Sequence, residues 1–385
     1  MSKGEIRVSP VRGKAALSAF VNLAYRLNAN DPKWVPPLKQ EVFELLDPGK
    51  NPFFSHAEVQ PMIATRGGKI VGRICAHIDQ LAISQPAEQG FGPGTGNWGM
   101  MEAEDRSVSG ALIGAAEDWL RERNMTRALG PLSLSVWDEP GLLTKGHGQS
   151  PRVMMGHHNP EYQAWIEELG YRPVKKLVTY ELDVTNPFPP LIQRIVASGE
   201  RNERIRIRSA NLARLDEEAR ILVDILNDAW SDNWGFVPIT DQEISYAVKK
   251  MKPLLSEELI MFAELDGEPV AFMMALPDIN AVLKPLNGNM FPFGWARLLL
   301  WLRARRSDDM RVPLMGVRKH LQSSRMASQL AFMLIETIRV RATRRYRAKR
   351  AEIGWILEDN QGMVAIAEAI GSHVNREYLV YDKAL

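Results

Sequence analysis

The feature that most constrains the fold of this chain is an internal repeat at a constant offset of 201 residues. With Asn159 placed on Asn360, the segments NPEYQAWIEELGY and NQGMVAIAEAIGS align and share a glycine near their ends. Ten residues further on, Tyr180 in LVTYELDV falls on Tyr381 in LVYDKAL. Both copies predict an Asn-capped helix, a glycine that ends it and a short strand. We therefore interpret the chain as a duplication.

Each half also opens in the same way. The segments RVSPVRGKAALSAFVNLAYRLN and RIRSANLARLDEEARILVDILNDAW each predict a short strand followed by an amphipathic helix. Two hairpin strands follow, with turns predicted at Gly67-Gly68 and at Asp266-Gly267. The predicted order is β-α-α-β-β-β-α-β-α-β, twice. This order predicts an α/β (α+β) fold of tandem duplicated domains, each a mixed, mostly antiparallel sheet flanked by helices.

The boundary between the two domains is predicted at the proline-rich segment TNPFPP, which the charged segment SGERNERIR follows. We expect an N-terminal domain over residues 1–190, a linker over 191–204 and a C-terminal domain over 205–385. A chain of 385 residues is also long enough for two domains on size alone.

Composition argues against several classes of function. The formal net charge is only +2, so nucleic acid is an unlikely partner. Cys75 is the single cysteine, which excludes an internal disulfide framework and a multi-cysteine zinc site, and we expect no metal. No signal-peptide pattern is present and no run reaches the ~18 apolar residues of a membrane span. We expect a cytoplasmic protein.

The segment LMGVRKHLQSSRMASQL predicts a strand that ends at Val317 and a helix that begins near Arg325. A helix N-terminus after a strand favours anions, because unpaired N–H groups and the helix dipole point outward there. Phosphate loops usually contain glycines, and Arg325 stands where one is expected. Its side chain either fills the phosphate space or reaches a phosphate oxygen. Ser323 and Ser324 are good N-caps, so a plain capped helix is the alternative interpretation.

These elements resemble the GNAT acyltransferase superfamily, most clearly over residues 205–385 and more weakly over 1–190. The superfamily loop reads Arg or Gln, two residues, Gly, one residue, Gly or Ala, and it holds the pyrophosphate of coenzyme A. Here it reads QSSRMA, with arginine at the first glycine. The resemblance implies acyl-CoA as the acyl donor and a backbone N–H near Val317 for the thioester carbonyl. It assigns to the cofactor Val317, Arg318, Gln322, Ser323, Ser324, Arg325, Met326, Ala327 and Asn360.

The equivalent segment of the first half, EAEDRSVSG, is acidic, so the cofactor is expected in the second half. Within the superfamily, the blocks NDAWSDNWGFVP, ALPDIN, NPFFSHAE and MGHHNPEY resemble the bacterial ceramide synthases. That resemblance implies transfer of a long acyl chain from a thioester to the amine of a sphingoid-base-like lipid. Two alternatives stay open: an aminoacyl or acetyl transferase acting on another amine, and a non-catalytic acyl-binding protein associated with membranes.

N-acylation requires a neutral amine, donors for the developing oxyanion and a proton for the leaving thiolate. A carboxylate in an apolar cleft has a raised pKa and can act as the base. Asp278 has an alternative interpretation as a turn residue before Asn280. Adjacent histidines on an extended chain point to opposite faces, so only one of the pair can face a site. The catalytic candidates are Glu352, Asp278, His157, His158 and Tyr378.

The segment AWSDNWGFVP supplies aromatic rings and amide groups between two predicted helices. It is interpreted either as a wall of the substrate site or as aromatic core packing with capping asparagines. The substrate-binding candidates are Asn227, Trp230, Asn233, Trp234, Phe236 and Asn280.

The segment PFGWARLLLWLRARR interleaves tryptophan and leucine with four arginines. This composition, from Trp295 to Arg306, is typical of an interfacial membrane helix, and the stretch is too short to span a bilayer. It predicts peripheral contact with an anionic membrane on its inner, cytoplasmic face. The alternative is a helix that covers the core with its arginines in solvent.

Overall fold

The computed structural model describes residues 4–385, which form one large mixed sheet with helices on both faces. The strands are β1 Ile6–Pro10, β2 Ala57–Arg66, β3 Lys69–Asp79, β4 Thr95–Ala103, β5 Arg127–Gly130, β6 Leu142–Lys145, β7 Arg172–Asp183, β8 Ile205–Ser209, β9 Ile260–Leu265, β10 Glu268–Pro277, β11 Asp309–Val317, β12 Arg350–Leu357 and β13 His373–Ala384.

The helices are α1 Gly13–Leu27, α2 Lys39–Leu45, α3 Gln80–Ile83, α4 Arg106–Arg121, α5 Tyr162–Glu168, α6 Pro190–Glu200, α7 Leu215–Trp230, α8 Asp241–Met251, α9 Asn280–Leu283, α10 Gly294–Ala304, α11 Arg325–Arg341 and α12 Gln361–Ala369. The predicted elements occur in the predicted order, and four additional helices, α3, α6, α9 and α10, and the additional strand β6 lie between them.

The two halves repeat the same path. In each, a β-hairpin turns at the predicted dipeptide, and Gly67 and Gly267 have the positive φ values (+56° and +90°) that such turns require. The glycines that end α5 and α12, Gly170 and Gly371, also share a left-handed conformation, with φ of +91° and +80°. The fold class and the mixed, mostly antiparallel sheet are as predicted.

The last strand of each half is exchanged with the other half. The strand order is β1-β2-β3-β4-β5-β13-β7-β12-β11-β10-β9-β8, with β6 paired to β13 outside this path. Strand β7 therefore lies beside β12 of the second half, and β13 lies between β7 and β5 of the first. Each half is completed by a strand from the other, and the sheet is continuous.

The segment 191–204, predicted as a linker, is largely helical. Helix α6 buries Ile192 and Val196, and both belong to the main apolar cluster of the second half. The prolines before α6 mark its N-terminus, because proline is tolerated in the first turn of a helix. Because the apolar side of α6 packs on α11, this connection contributes to the core of the second half, while the domain bounds stay a prediction.

Strands β11 and β12 form a fork. They run parallel and pair only from Asp309↔Arg350 to Val312↔Ile353. Beyond that point β11 follows β10 to its end, and β12 follows β7. Gly354 stands at the separation with φ +138°, and a Cβ there would lie 2.8 Å from the carbonyl oxygen of Val178, so only glycine fits. The fork opens towards the N-terminus of α11.

Candidate active site

A buried ionic cluster lies where the fork begins. One oxygen of Glu352, Oε2, accepts hydrogen bonds from Arg152 Nη1 at 2.6 Å, Asn375 Nδ2 at 2.6 Å and Arg376 Nε at 3.4 Å. Arg311, on the neighbouring strand, is fully buried with its Nε and Nη2 atoms unpartnered among residues 4–385. Four charged side chains thus meet at the base of the fork.

The electrostatics of Glu352 differ from the sequence expectation. Burial raises the pKa of Glu352. The nearby guanidinium groups of Arg152, Arg376 and Arg311 lower it by a larger amount, so that the net pKa lies below the ordinary value for glutamate. The expected rise of the pKa on burial is thus outweighed by three nearby guanidinium groups. A lowered pKa favours the ionised form of Glu352, which pairs with Arg152 and Arg376.

Asp278 follows β10 and lies beside the first residue of β11, Asp309, whose carbonyl oxygen accepts the Asp278 N–H at 3.0 Å. Its Oδ1 accepts hydrogen bonds from the N–H of Val153 at 2.8 Å and of Asn280 at 3.2 Å. The hydrogen bond from Asn280 is the one expected if Asp278 acts as a turn residue, which is the alternative interpretation of this residue. Burial nevertheless raises the pKa of Asp278 to about 6, against the lowering effect of these N–H groups and Arg152. This carboxyl has the pKa of a usable base near neutral pH.

Residues 146–158, which we call the strap, belong to the first half and contact the second half at Asp278, Glu352 and Arg376. Arg152 also bonds Glu181 at 2.5 Å and Asp309 at 2.7 Å. Arg376 donates to the carbonyl oxygen of Ser150 at 2.6 Å, and Asn280 Nδ2 donates to that of Pro151 at 2.8 Å. The substrate candidate Asn280 is therefore engaged in holding the strap.

Sequence reasoning missed Arg152, Arg311 and Arg376. A signal was present for two of them, because Arg311 lies between apolar residues in MRVPLM and Arg376 enters an apolar strand in NREYLVY. A charged residue within a buried strand requires a partner. For Arg376 that partner is the Glu352 carboxylate, whereas Arg311 Nη1 donates to the carbonyl oxygens of Val312 and Glu352. For Arg152, in the loop segment QSPRVMM, the sequence offers no comparable signal.

The two histidines lie on the strap and face different partners. His157 Nε2 is 2.8 Å from Asp31 Oδ2; burial lowers the pKa of His157, and Asp31 opposes this only in part. The His158 Nδ1 atom accepts the N–H of Leu143 at 3.1 Å, and burial lowers the pKa of His158 to about 3. Neither ring contacts the Glu352 cluster through a hydrogen bond described in residues 4–385.

Tyr378 lies on β13 beside the fork. Its hydroxyl donates to the carbonyl oxygen of Gly156 at 3.1 Å, and burial raises its pKa above the ordinary tyrosine value. Its ring lies 6.0 Å from that of Trp355, edge to face. Arg311 lies over the same indole, 5.5 Å from its centroid. These side chains form an aromatic and cationic surface at the base of the fork.

The predicted cofactor loop runs from Val317, the end of β11, to the first turn of α11. Ser324 is the N-cap, and its Oγ accepts the N–H of Ala327 at 3.3 Å. Gln322 turns back, and its Nε2 donates to the carbonyl oxygens of Val317 at 2.9 Å and Ala229 at 3.0 Å. Ser323 is exposed, and Gln322 supports the loop rather than projecting from it.

Carboxylates of α7 neutralise part of this loop. Arg318 Nη2 is 2.6 Å from Asp224 Oδ2, and the Lys319 N–H donates to Asp228 Oδ2 at 2.7 Å. Arg325, by contrast, is exposed and has no ion pair within residues 4–385. Met326, the next residue, packs on the main apolar cluster. The free cation of this helix N-terminus is therefore Arg325.

The predicted substrate loop packs against the first half of the chain. Trp230 stacks on Trp137 with 5.8 Å between centroids, and Phe236 meets the same ring edge to face at 6.1 Å. Trp234 stacks on Phe91 at 6.3 Å. These contacts fit the packing interpretation, in which the loop joins the two halves.

The three amide candidates differ. Asn360 caps α12, since its Oδ1 accepts the Met363 N–H at 3.1 Å. Asn227 Oδ1 is buried, with no hydrogen-bond partner within residues 4–385. Asn233 contributes its backbone N–H to the carbonyl oxygen of Trp230 at 2.8 Å. Of the three, only Asn227 has a buried oxygen left to bind a ligand.

Helix α10 is the predicted interfacial segment, and one side of it is apolar and exposed. Phe291 and Leu300 are 81% and 67% exposed, and Trp295 is 52% exposed. On the other side, Leu298 and Trp301 pack on the small apolar cluster around α9. Among residues 4–385, no helix has the combination of length and hydrophobicity that crossing a bilayer requires.

Comparisons with known proteins agree with this geometry. No family model matches the chain. The bacterial ceramide synthase of Caulobacter vibrioides (strain NA1000 / CB15N) is 43% identical over 386 residues, covering 100% of this chain and 99% of that protein. Protein YghO of Escherichia coli (strain K12) is 39% identical over 374 residues, covering 97% and 94%.

Solved structures match at the level of the fold. A tandem GNAT protein from the clavulanic acid biosynthesis pathway superposes with a TM-score of 0.57 at 12% identity, covering 99% of this chain and 98% of that one. A GCN5-related N-acetyltransferase from Sphaerobacter thermophilus gives 0.52 at 13% identity, covering 98% and 95%. With the full-length relatives and the fork geometry, these matches identify the chain as a tandem GNAT-fold N-acyltransferase that belongs to the bacterial ceramide synthase family.

Proposed function

We propose that this enzyme transfers a long-chain acyl group from acyl-CoA to the amine of a sphingoid-base-like lipid, giving a ceramide-type amide. The observation that carries the proposal is the fork of β11 and β12, which opens onto a helix N-terminus with an unpaired exposed arginine. The similarity to a protein named bacterial ceramide synthase supports the lipid acceptor.

In this proposal the pyrophosphate of the thioester binds at the first turn of α11. The N–H groups of a helix N-terminus attract anions, and Arg325 adds a charge-assisted contact in place of glycine. Ser324 orients the first turn by capping it. The pantetheine arm then lies along the unpaired edges of the fork, with the backbone near Val317 donating to the thioester carbonyl.

The amine approaches Asp278, which lies beside Asp309 at the start of β11, before the two strands separate. As the amine nitrogen bonds to the carbonyl carbon, the carbon–sulfur bond breaks and the amine loses a proton. Asp278 accepts that proton, directly or through water, because its carboxyl has a pKa of about 6. The departing thiolate takes up a proton from water, and Asp278 returns the amine proton to water, so that the products are the amide and free coenzyme A. Arg311 and Glu352 fix the base of the fork without exchanging protons.

Both lipid substrates partition into membranes, and α10 is the proposed contact with the membrane. Its exposed apolar side suits the acyl-chain boundary of a bilayer. Arg297, Arg303, Arg305 and Arg306 are all exposed, and each adds roughly 1 kcal/mol near an anionic surface. We place the enzyme in the cytoplasm, bound reversibly to the inner face of the membrane.

The experiment that tests the function measures thiol release from palmitoyl-CoA, with and without sphinganine, together with mass spectrometry of the lipid product. Amine-dependent release with a matching amide is the expected result. Release without added amine would mean thioester hydrolysis. Binding of palmitoyl-CoA by calorimetry without release for any amine would support the acyl-binding alternative and contradict the proposal.

A further inference from the structure

A cavity of about 380 Å³ lies behind α10, outside the site described above. Trp301 and Leu302 of α10 form one wall, and Leu254 and Leu255 form the facing wall. Tyr346, which follows α11 and is buried, also lines it. The volume is within the range of about 300–1,000 Å³ that small-molecule sites usually have.

Charged residues lie on both walls of the cavity, with Glu257 and Glu258 on one and Arg305 and Arg306 on the other. Arg305 Nη1 is 4.0 Å from Glu258 Oε2, and Arg345 Nε is 3.3 Å from Glu258 Oε1. The Glu258 Oε2 atom is buried and has no hydrogen-bond partner within residues 4–385. The cavity is therefore amphipathic, because charged side chains share its lining with Leu212, Leu254, Leu255, Pro277, Trp301 and Leu302.

The inner end of the cavity reaches the proposed base. Pro277 lines the cavity, and Asp278 is the next residue. Trp301 also packs with Val282 and Leu283 of α9, which follows Asp278 in sequence. A molecule in the cavity would therefore contact the segment that positions the carboxyl group.

The outer end adjoins the proposed membrane contact. Helix α10 presents Trp295, Leu299 and Leu300 to solvent and Trp301 and Leu302 to the cavity. The apolar side chains that line the cavity thus belong to the same helix as those exposed at the proposed membrane contact.

We propose that this cavity binds one long unbranched aliphatic chain of a lipid substrate during transfer. The inference rests on the proposed function and specifies where a chain lies. The chain comes from one of two sources, the acyl thioester or the long-chain amine, and both have the same chemistry. Burial of each methylene group in an apolar wall favours long chains over short ones.

The test is photolabelling of the full-length protein with two probes that carry a diazirine at the chain end. One is palmitoyl-CoA and the other is hexadecylamine, and the labelled residues are mapped by mass spectrometry. The result expected is labelling within residues 253–258 or 301–306 by one probe, which identifies the source of the chain. Labelling confined to other regions by both probes would overturn the proposal.

A pair of variants makes the test quantitative. Leu302→Trp fills the cavity and should lower labelling by the same probe about tenfold, roughly the contribution of two buried methylene groups. The matched control is Leu191→Trp, because Leu191 is 58% exposed on α6 and lies far from α10 in sequence. The control should label like the wild type. Equal labelling of Leu302→Trp and Leu191→Trp would contradict the proposal that the chain lies in this cavity.

Failure of this inference can be told apart from failure of the proposed function. Thiol release from hexanoyl-CoA and palmitoyl-CoA is compared in wild type and Leu302→Trp. If Leu302→Trp loses only the long-chain reaction, the cavity is confirmed as the chain site. If wild type and Leu302→Trp both retain amine-dependent thiol release with palmitoyl-CoA, the cavity is not the chain site, and the proposed function stands. If wild type releases no thiol with any chain, the function fails, and the map of labelled residues still decides the cavity.

Discussion

The two halves of the chain begin an equivalent helix in the same way but differ in the charge of the N-cap, which is a carboxylate in the first half and a hydroxyl in the second. Helix α4 starts at Arg106 after the cap Asp105, and α11 starts at Arg325 after the cap Ser324. Asp105 is bonded to Arg66 at 2.6 Å, and Arg106 is paired with a glutamate. Arg325 has no such partner among residues 4–385. At α4 the carboxylate of the cap already occupies the position that a bound anion would take. The duplication has therefore kept the helix-start geometry in both halves, but a positive charge available to an anion only at α11.

A second comparison concerns the aspartates that follow the hairpins. Asp79 ends β3 and accepts the N–H of Leu81 at 2.9 Å, as Asp278 accepts that of Asn280. Asp79 is also 2.8 Å from His56 Nδ1. Within the described residues 4–385, Asp278 has no histidine partner and instead accepts the N–H of Val153 in the strap at 2.8 Å. The turn is shared, and the surroundings decide which carboxyl group is available to a substrate.

The largest effect is expected from the pair Asp278→Asn and Asp79→Asn. Removing a general base lowers kcat by about 10²–10⁴, so Asp278→Asn should fall in that range and Asp79→Asn should stay near wild type. Initial rates of thiol release measure both. Similar rates for the two variants would remove Asp278 from the chemistry.

The pH dependence sharpens the same comparison. The carboxylate form of Asp278 is the base, so the wild-type rate should fall as pH drops through about 6. Stability changes in the opposite sense: the raised folded-state pKa contributes stability below the ordinary value, and this is lost as pH rises through about 6. Asp278→Asn should therefore gain stability relative to wild type between pH 4 and pH 7, measured by urea unfolding.

The next largest effect is expected at the strap between the halves. Arg152→Ala leaves Glu352 buried without its strongest partner, which costs about 3–5 kcal/mol of unfolding free energy. Arg121→Ala, on the exposed face of α4, removes ion pairs of a kind that contributes about 0–1 kcal/mol. Denaturant unfolding of both variants gives the comparison. Equal midpoints would show that the cluster does not hold the halves together.

A smaller effect is expected at the two helix N-termini. Arg325→Ala should weaken coenzyme A binding about tenfold, because a hydrogen bond to a charged group contributes about 1.5–3 kcal/mol. Arg106→Ala at the start of α4 should leave it unchanged. Isothermal titration calorimetry measures both. Tighter binding by Arg325→Ala would mean that this side chain fills the phosphate site.

The smallest effect is expected on membrane binding by α10. At the equivalent position of the first half, β3 and β4 are joined by the four-residue helix α3 instead. Arg297→Gln should weaken binding to vesicles rich in phosphatidylglycerol about fivefold, the equivalent of about 1 kcal/mol. Arg12→Gln, an exposed arginine of the first half, should have no effect. Co-sedimentation with anionic and neutral vesicles separates the two cases.

Much of the fold could be predicted from the sequence because local signals repeat. The hairpin glycines, the apolar spacing of α11 and the helix-ending glycines each act over a few residues and recur in both halves. The exchange of β7 and β13 could not be predicted, because either last strand is equally apolar and could complete either half. Pairing between distant strands leaves no local mark in a single sequence.

For the site, the sequence placed Asp278 at a strand end but could not supply the electrostatics, and its catalytic role stays a prediction. Burial dominates the pKa of Asp278, whereas arginines, Arg152 first among them, lower the pKa of Glu352, and Arg152 lies 200 residues from Glu352 along the chain. The resemblance of QSSRMA to a cofactor loop located the helix N-terminus, and only the structure shows that Arg325 has no ion pair within residues 4–385. The roles of these residues remain predictions for the variants above.

The exchanged strands have a consequence for how this protein is made on the ribosome. The edge of β5 is covered by β13, which is synthesised some 200 residues after β7. At about 5–20 residues per second, the first half waits roughly 10–40 s with its sheet incomplete and an edge exposed. An unpaired edge strand attracts other strands. The nascent chain therefore depends on protection during translation, and its two halves mature together rather than in turn.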